Sequence, residues 1–280
     1  MTSPATVSIA RPAREDFARS QRAVWASLPM SLTEGPGQAR LLAVDGRLPG
    51  WLDTLAAAIR SGIAGALVAR PVAGRSADDI RAVATAAAAA GTTVIVQTAW
   101  ASNPAVPQLA AAAAANVPDI RLIDSLVHVP GDPSGQWADV LLDHLALLRA
   151  MSGPLGSVRF ATHGANGYTV NGATQTTAVM LSAVRSTPRQ AAARLAAYGA
   201  TAEAHLVVPA GDTAAPAAAW TVDQAAETTQ PTRYESASRA SWRRLHAAAA
   251  GHPGEAAPDL LDLADEAEFV AAITGEKGRA

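Results

Sequence analysis

Cysteine is absent from this 280-residue chain, and lysine occurs only once, at Lys277. Without cysteine there can be no disulfide, no thiolate metal site and no cysteine nucleophile. A catalytic lysine would have to be Lys277 itself. The first glycine is Gly35, so the first 34 residues cannot contain a glycine-rich turn. These absences exclude several kinds of site before any motif is considered.

An excess of charge of either sign and a long apolar run are also absent. The net charge is -2, the calculated pI is about 6.3 and no basic stripe occurs, so we expect neither nucleic acid nor an anionic membrane as a partner. No run approaches the ~20 apolar residues that span a bilayer. The first residues also lack the apolar core of a secretory signal. The cytoplasm is therefore the expected location.

Strand-like and helical patterns alternate between residues 40 and 129. Arg40–Asp45, Gly65–Ala69 and Thr92–Thr98 are buried-type strands, and helical patterns separate them. A weaker strand over Thr6–Ala10 and a helix over Arg14–Leu28 precede them. This alternation is typical of βαβ units and predicts a parallel sheet.

The pattern changes after residue 130. A strongly apolar helix over Trp137–Met151 is followed by strand-like runs that lie close together without helices between them: Ser157–Thr162, Thr176–Ser186, Arg194–Tyr198, Ala204–Pro209 and Ala218–Val222. Two further helices, Tyr234–Ala250 and Leu260–Thr274, follow. These runs predict an α+β domain with an open, mainly antiparallel sheet and helices on one face. We place the domain boundary near residue 125, which gives domains 1–125 and 126–280.

Several segments follow a recognisable order. They are LLAVDGRLPGWLDTLAAAIRSG, GALVARPVAGRSADDIRAVATAAAAAG, TTVIVQTAWASNPAVPQL, DVLLDHLALLRAMSGPLGSVRF and the two last helices. In this order they resemble the Gfo/Idh/MocA family of oxidoreductases, named for glucose–fructose oxidoreductase and inositol dehydrogenase. The resemblance begins near residue 40. It implies a truncated Rossmann-like domain followed by the family's open-sheet domain.

The resemblance also implies a dinucleotide site that this sequence does not reproduce. The family is expected to bind its dinucleotide at a glycine-rich turn after the first strand, where the backbone approaches the pyrophosphate. Here that turn reads Ala10-Arg11-Pro12-Ala13-Arg14. Arg11 and Arg14 could hold a phosphate, but Pro12 removes an amide donor. The short N-terminal region also predicts the loss of one strand–helix unit, the one with the acidic residue for the adenosine ribose. We therefore expect no cofactor.

The catalytic positions that the resemblance implies are altered as well. The family's "EKP" lysine falls on Arg70, which can bind a substrate oxygen but cannot relay a proton because its pKa stays above 12. The family's helix motif has Asp, then Gly two residues later and the catalytic His four residues later. Counted from Asp139, the His position falls on Asp143, and His144 follows it. If the register shifts by one residue, His144 is the family histidine, but the position of the preceding Asp then falls on Val140. One helical step is about 100°, so Asp143 and His144 point in different directions.

Other residues are weaker candidates. His163 lies in a Gly/Asn-rich loop and, with Arg70 and Trp100, is a candidate substrate-binding residue. Trp100 could equally belong to the core. Asp124 and His128 fall on one face of a strand, but two ligands do not make a metal site, and we expect none.

Three functions fit these observations. The first is a non-catalytic partner subunit, which the resemblance implies would form a homo-oligomer, or a hetero-oligomer with an intact paralogue, through the C-terminal sheet. The second is an isomerase, lyase or cyclase acting on a sugar- or polyol-like compound, with Asp143 or His144 as acid/base and Arg70 as anion holder. The third is an NAD(P)-dependent reductase with an atypical cofactor site. Standard NAD(P)-dependent dehydrogenase activity is not expected.

Overall fold

The computed structural model describes residues 4–35, 39–131, 137–187, 190–209, 215–252 and 259–275, without the side chains of 158–161 and 163. The chain divides into two compact units. The first contains Met1–Thr98 and Ser238–Glu268, and the second contains Ala99–Ala237 and Phe269–Ala280. The boundary predicted at residue 125 falls inside a strand of the second unit.

The first unit is built on a five-stranded parallel sheet, as the alternating pattern predicts. Its elements are β1 (Ala5–Ile9), α1 (Glu15–Ala26), β2 (Leu32–Glu34), β3 (Leu41–Asp45), α2 (Trp51–Arg60), β4 (Gly65–Ala69), α3 (Ala77–Ala90) and β5 (Thr93–Gln97). The strand order is β2-β1-β3-β4-β5. Ser76 caps α3 by accepting the Asp79 N–H at 3.1 Å, and left-handed Gly91 ends the helix. The Rossmann-like prediction for this part of the chain is confirmed.

One detail of that prediction is wrong. The strand beside β1 is present as β2, and it ends at an acidic residue, Glu34. Only residues 35–40 separate it from β3, and both Glu34 and Leu41 pair with Val7 of β1. The usual doubly wound sheet has six strands, so one strand–helix unit is indeed missing, but it is the unit that would follow β2. A three-residue edge strand carries too little hydrophobic pattern to be recognised.

The second unit is built on an eight-stranded sheet. Its elements are α4 (Ala105–Asn116), β6 (Leu122–Val129), α5 (Trp137–Ser152), β7 (Ser157–Gly164), β8 (Gly167–Ala173), β9 (Ala178–Arg185), β10 (Ala192–Tyr198), β11 (Ala202–Pro209), β12 (Ala218–Asp223) and β13 (Glu227–Thr229). The order is β13-β12-β11-β10-β6-β9-β8-β7, and only the β6–β9 pair is parallel. Along β10, Ala193, Leu195 and Ala197 are buried and alternate with more exposed residues. The mainly antiparallel sheet of the prediction is confirmed.

Two C-terminal helices, α6 (Ala237–Ala249) and α7 (Asp259–Thr274), complete the description. Most of α6 packs in the first unit, where Trp242 and Leu245 are fully buried against the sheet. Leu245 lies so close to Gly65 that a β-carbon there would come within 2.8 Å of its Cδ1, so a larger residue at position 65 would require the Leu245 side chain to shift. Arg244 of α6 and Asp259 of α7 form a two-bond ion pair at 3.1 and 2.7 Å. No helix in the described part of the chain has the length and apolar character needed to cross a membrane.

Candidate functional site

The first sheet has a topological switch point at its centre. β1 continues into α1 and β2 on one side, whereas β3 lies on its other side. In open α/β sheets, ligands bind outside the carboxyl ends of the strands at such a point. Here the ends that meet there are those of β1, at Ile9, and of β3, at Asp45. This edge of the sheet is the candidate nucleotide site.

The anion position at the start of α1 is filled by the protein's own carboxylate. Asp45 has a fully buried side chain, and Arg14 is the N-cap residue of α1. The Asp45 carboxylate accepts the Arg14 backbone N–H at 3.3 Å, and the Arg14 Nε and Nη2 at 2.9 and 3.2 Å. Asp45 also accepts the Arg47 N–H at 3.2 Å. Helix N-termini attract anions, and at this one the anion is Asp45.

The β1–α1 turn does not fit a pyrophosphate in the usual way. It contains no glycine, Pro12 has no N–H, and the first turn of α1 carries Glu15 and Asp16. Of the two arginines predicted as phosphate ligands, Arg14 is bound to Asp45. Arg11 is exposed and makes no hydrogen bond or ion pair with a described residue. A nucleotide in this unit therefore needs a phosphate anchor other than the start of α1.

Glu34 was missed by the sequence reasoning. It ends β2, next to β1 in the sheet, where its carboxylate accepts the Arg22 Nε at 2.9 and 3.2 Å. An acidic residue after the second strand is the usual ligand of the adenosine ribose in this class of sheet. The brief Leu32-Thr33-Glu34 alternation is the only signal of it in the sequence.

Arg70 lies at the carboxyl end of β4 with an unusual backbone. Its φ of 53° is in the left-handed region, which residues with a side chain rarely adopt. The conformation is held on both sides: the Arg70 N–H donates to the Gln97 carbonyl at 2.7 Å, and the Val72 N–H donates to the Gly46 carbonyl at 2.9 Å. Strained backbone at a ligand-binding edge is consistent with a functional role. The substrate-binding role of Arg70 stays a prediction.

His144 lies in a closed hydrogen-bond chain inside the second unit. The Ser125 hydroxyl donates to the Arg194 carbonyl at 3.0 Å, so it accepts from the His144 Nε2–H at 2.7 Å. The His144 Nδ1, 3.1 Å from the Tyr168 hydroxyl, then accepts the phenolic proton. Burial lowers the pKa of His144 to about 3. Both ring nitrogens are occupied and the ring is inaccessible, which argues against the predicted acid–base role and favours a structural one.

Asp143 and Trp100 lie near His144 in the second unit. Asp143 is only partly buried, and its Oδ1 accepts the Ala99 N–H at 2.9 Å. Its environment therefore differs from that of the fully buried His144, as expected for neighbours about 100° apart on a helix. Trp100 is 5% exposed and packs edge-on to His144 at 6.4 Å. Its indole N–H has no partner among the described residues. Trp100 therefore forms part of the core here, and Asp143 is the more accessible acid.

The remaining candidates are assigned to the two units separately. Arg70 belongs to the first unit, whereas Asp143, His144 and Trp100 belong to the second. The side chain of His163 lies outside the described residues, and its backbone pairs with Tyr168 between β7 and β8. No group of three metal-binding side chains occurs among the described residues. Ser125 and Tyr168, the partners of His144, come from distant strands and could not have been chosen from sequence.

Comparison with known proteins gives no match to a family model and none to a curated protein sequence. Solved structures do match. UDP-N-acetylglucosamine 3-dehydrogenase GnnA from Acidithiobacillus ferrooxidans is similar over 98% of both chains, with 13% identity and a TM-score of 0.74. The 3-ketoreductase KijD10 from Actinomadura kijaniata, in complex with NADP and TDP-benzene, is similar over 98% of both chains, with 14% identity and a TM-score of 0.72.

A third neighbour is an inositol dehydrogenase homologue from Azotobacter vinelandii complexed with NAD+. It is similar over 100% of this chain and 97% of its own, with 11% identity and a TM-score of 0.74. The NADP and NAD+ complexes of these neighbours contradict the expectation that no cofactor is bound. That expectation was wrong because it treated the glycine turn as the only possible anchor, although the surrounding fold is retained. The chain has the two-domain fold of the Gfo/Idh/MocA-type oxidoreductases.

Proposed function

We propose that this protein binds a nicotinamide dinucleotide at the carboxyl edge of its first sheet and acts as an oxidoreductase on a sugar- or polyol-like compound. The observation that carries the proposal is the fold shared, over nearly the whole chain, with proteins solved with NADP or NAD+. The switch point between β1 and β3 supports it. When bound, the dinucleotide would supply the hydride chemistry.

The chain's own residues would then bind substrate and move protons. Arg70, at the carboxyl end of β4, keeps a fixed positive charge and would bind an anionic or carbonyl oxygen of the substrate. Arginine does not release its proton, so proton transfer requires another group. Asp143 is the remaining candidate, because it is partly accessible whereas His144 is sealed. These roles distinguish the proposal from the family's lysine-and-histidine arrangement.

Dinucleotide binding is tested by titrating the protein with NADH and with NADPH and following nicotinamide fluorescence. We expect saturable binding of at least one of them with a Kd of roughly 1–100 μM, which corresponds to about 5–8 kcal/mol. Oxidised dinucleotide should displace the reduced form. A flat titration up to millimolar concentration for both would contradict the proposed function.

A second candidate is the non-catalytic partner subunit, and the second sheet gives a specific reason to keep it. The face opposite α4 and α5 exposes Leu122, Met180 and Val184, which are half of the exposed large hydrophobic residues in the described chain. Asp124 lies on the same face, where burial raises its pKa. An apolar face of this kind suits another copy of the chain or an intact paralogue. In this role the protein would bind a dinucleotide without transferring hydride itself.

Replacing Met180 with glutamate tests that surface. The added charge would be buried on association, so we expect a shift from oligomer to monomer in light scattering at micromolar concentration. Met30→Glu is the matched control, because Met30 is 71% exposed and lies in the first unit. A monomeric wild-type protein that also copurifies with no homologue would exclude this candidate.

A non-redox isomerase, lyase or cyclase would use the same Asp143 and Arg70. Turnover of a sugar-like compound without any dinucleotide would favour it over the oxidoreductase. Cytoplasmic location stays a prediction.

A further inference from the structure

A groove of about 950 Å³ runs along β1 on one face of the first sheet. Its floor contains Ser8 of β1 and Leu42 of β3. One wall is α2, through Thr54, Ala57 and Ala58. The groove extends from Arg40, before β3, to Ala10 and Arg11 at the carboxyl end of β1. Its volume is in the range of pockets that hold small-molecule ligands and cofactors.

The groove is a consequence of the short connection between β2 and β3. A crossover between parallel strands usually needs a dozen or more residues and commonly includes a helix. Here only residues 35–40 pass from β2 to β3. The groove is therefore walled by α2 on one side and by no other helix among the described residues. In the described part of the chain, no helix takes the place of the missing strand–helix unit along this groove.

The ends of the groove carry unmatched positive charge. Arg11 and Arg40 are both exposed, and neither side chain makes a hydrogen bond or an ion pair with a described residue. The carboxylate in the wall, Asp53, is paired with Arg75 at 3.2 Å. The charge balance therefore favours an anionic ligand. Between the arginines, Leu42 and the alanines of α2 give an apolar surface on which a flat ring could lie.

Arg11 lies beside the switch point, whereas the start of α1 is closed by Asp45. We propose that the groove holds the phosphate-bearing adenosine half of the nucleotide, with the Arg11 guanidinium binding the phosphate in place of the α1 N-terminus. This inference rests on the proposed function and specifies its binding site. A guanidinium is well suited to the role because it binds phosphate oxygens with two parallel N–H donors.

The test measures binding of NADPH, and of ADP as a probe without nicotinamide, by fluorescence and calorimetry. Arg11→Ala should raise the Kd of both ligands by about 10-fold or more, since a hydrogen bond to a charged group is lost. Arg19→Ala is the matched control, because Arg19 is an exposed arginine of α1 that pairs with Glu15 and does not line the groove. It should leave both Kd values unchanged. ADP should compete with NADPH.

Asp45→Asn distinguishes the two possible phosphate positions. If the phosphate lies in the groove, removing the Asp45 charge should leave the Kd within about 3-fold of wild type, because Asp45 does not line the groove and its charge is already paired with Arg14. Tighter binding by Asp45→Asn would place the phosphate at the start of α1 and overturn the inference. Unchanged binding by Arg11→Ala would overturn it while leaving the proposed function intact. A wild-type protein that binds neither NADH nor NADPH would overturn both.

Discussion

Trp242→Ala should lower the free energy of unfolding of the first unit by about 3–5 kcal/mol, the usual cost of truncating a buried tryptophan. Trp242 is fully buried in α6 and packs edge-on to Trp25 at 5.4 Å between ring centroids. Its indole N–H donates to the Gln21 Oε1 at 2.7 Å, and Gln21 is itself buried. The substitution would leave both a cavity and an unpaired acceptor. Chemical denaturation followed by far-ultraviolet circular dichroism measures the change.

Two further variants separate the contributions. Trp242→Phe keeps most of the ring but loses the N–H, so we expect a cost of about 1–3 kcal/mol from the unpaired Gln21 acceptor. Trp220→Ala is the matched control, because Trp220 is only partly buried on the open face of the second sheet. It should cost clearly less. Equal costs for Trp242→Ala and Trp220→Ala would show that α6 does not support the first unit in solution.

The parallel half of the fold could be predicted because its signals are local. Strands β3, β4 and β5 are short apolar runs buried on both faces, and the helices between them have their own periodicity. Fold class follows from the order of such elements. β8, by contrast, was missed, because Gly167–Ala173 contains two glycines and an asparagine, a composition that is typical of a loop. Only its pairing with β7 and β9 makes it a strand.

The placement of α6 depends on contacts far apart in sequence. Its helical pattern was visible, but nothing within the helix indicates that Trp242 meets Trp25 and Gln21, more than 200 residues away. The first unit contains two separate segments of the chain, Met1–Thr98 and Ser238–Glu268, so a single domain boundary cannot describe it. Long-range packing of this kind is decided by shape and burial rather than by local propensity.

In the candidate site, too, local features could be predicted from the sequence, whereas contacts between distant residues could not. The absence of glycine could be read directly from the sequence, and it distinguishes the β1–α1 turn from a glycine-rich phosphate-binding turn. The sequence does not reveal that Asp45 occupies the start of α1, because Asp45 lies on another strand, 31 positions from Arg14. The conclusion that no cofactor binds was wrong for this reason, since a missing motif removes one anchor without removing the fold around it. The hydrogen-bond partners of His144 could not be predicted either, because Ser125 and Tyr168 lie on separate strands.

Acidification should destabilise the second unit through His144. Burial lowers its pKa to about 3 in the folded protein, against an ordinary value of 6.5. His144 therefore binds a proton below pH 6.5 in the unfolded chain, but only below about pH 3 in the folded protein. This stabilising contribution is fully present above pH 6.5 and is lost as the pH falls from 6.5 towards 3. Linkage gives a loss of about 3 kcal/mol between pH 7 and pH 4.

Other groups titrate in the same range, so a comparison of variants is needed. Burial raises the pKa of Asp259 to about 6, and because its folded pKa lies above the unfolded one, it opposes the loss as the pH falls. His144→Gln keeps a side chain that can donate and accept hydrogen bonds but does not titrate. It should be less stable than wild type at pH 7 and lose less stability on acidification, so that the difference between the two proteins shrinks by about 3 kcal/mol at pH 4. His252→Gln, at an exposed position, is the control and should follow wild type. Parallel curves for wild type and His144→Gln would mean that His144 accepts a proton in the folded state, which would return it to consideration as an acid–base group.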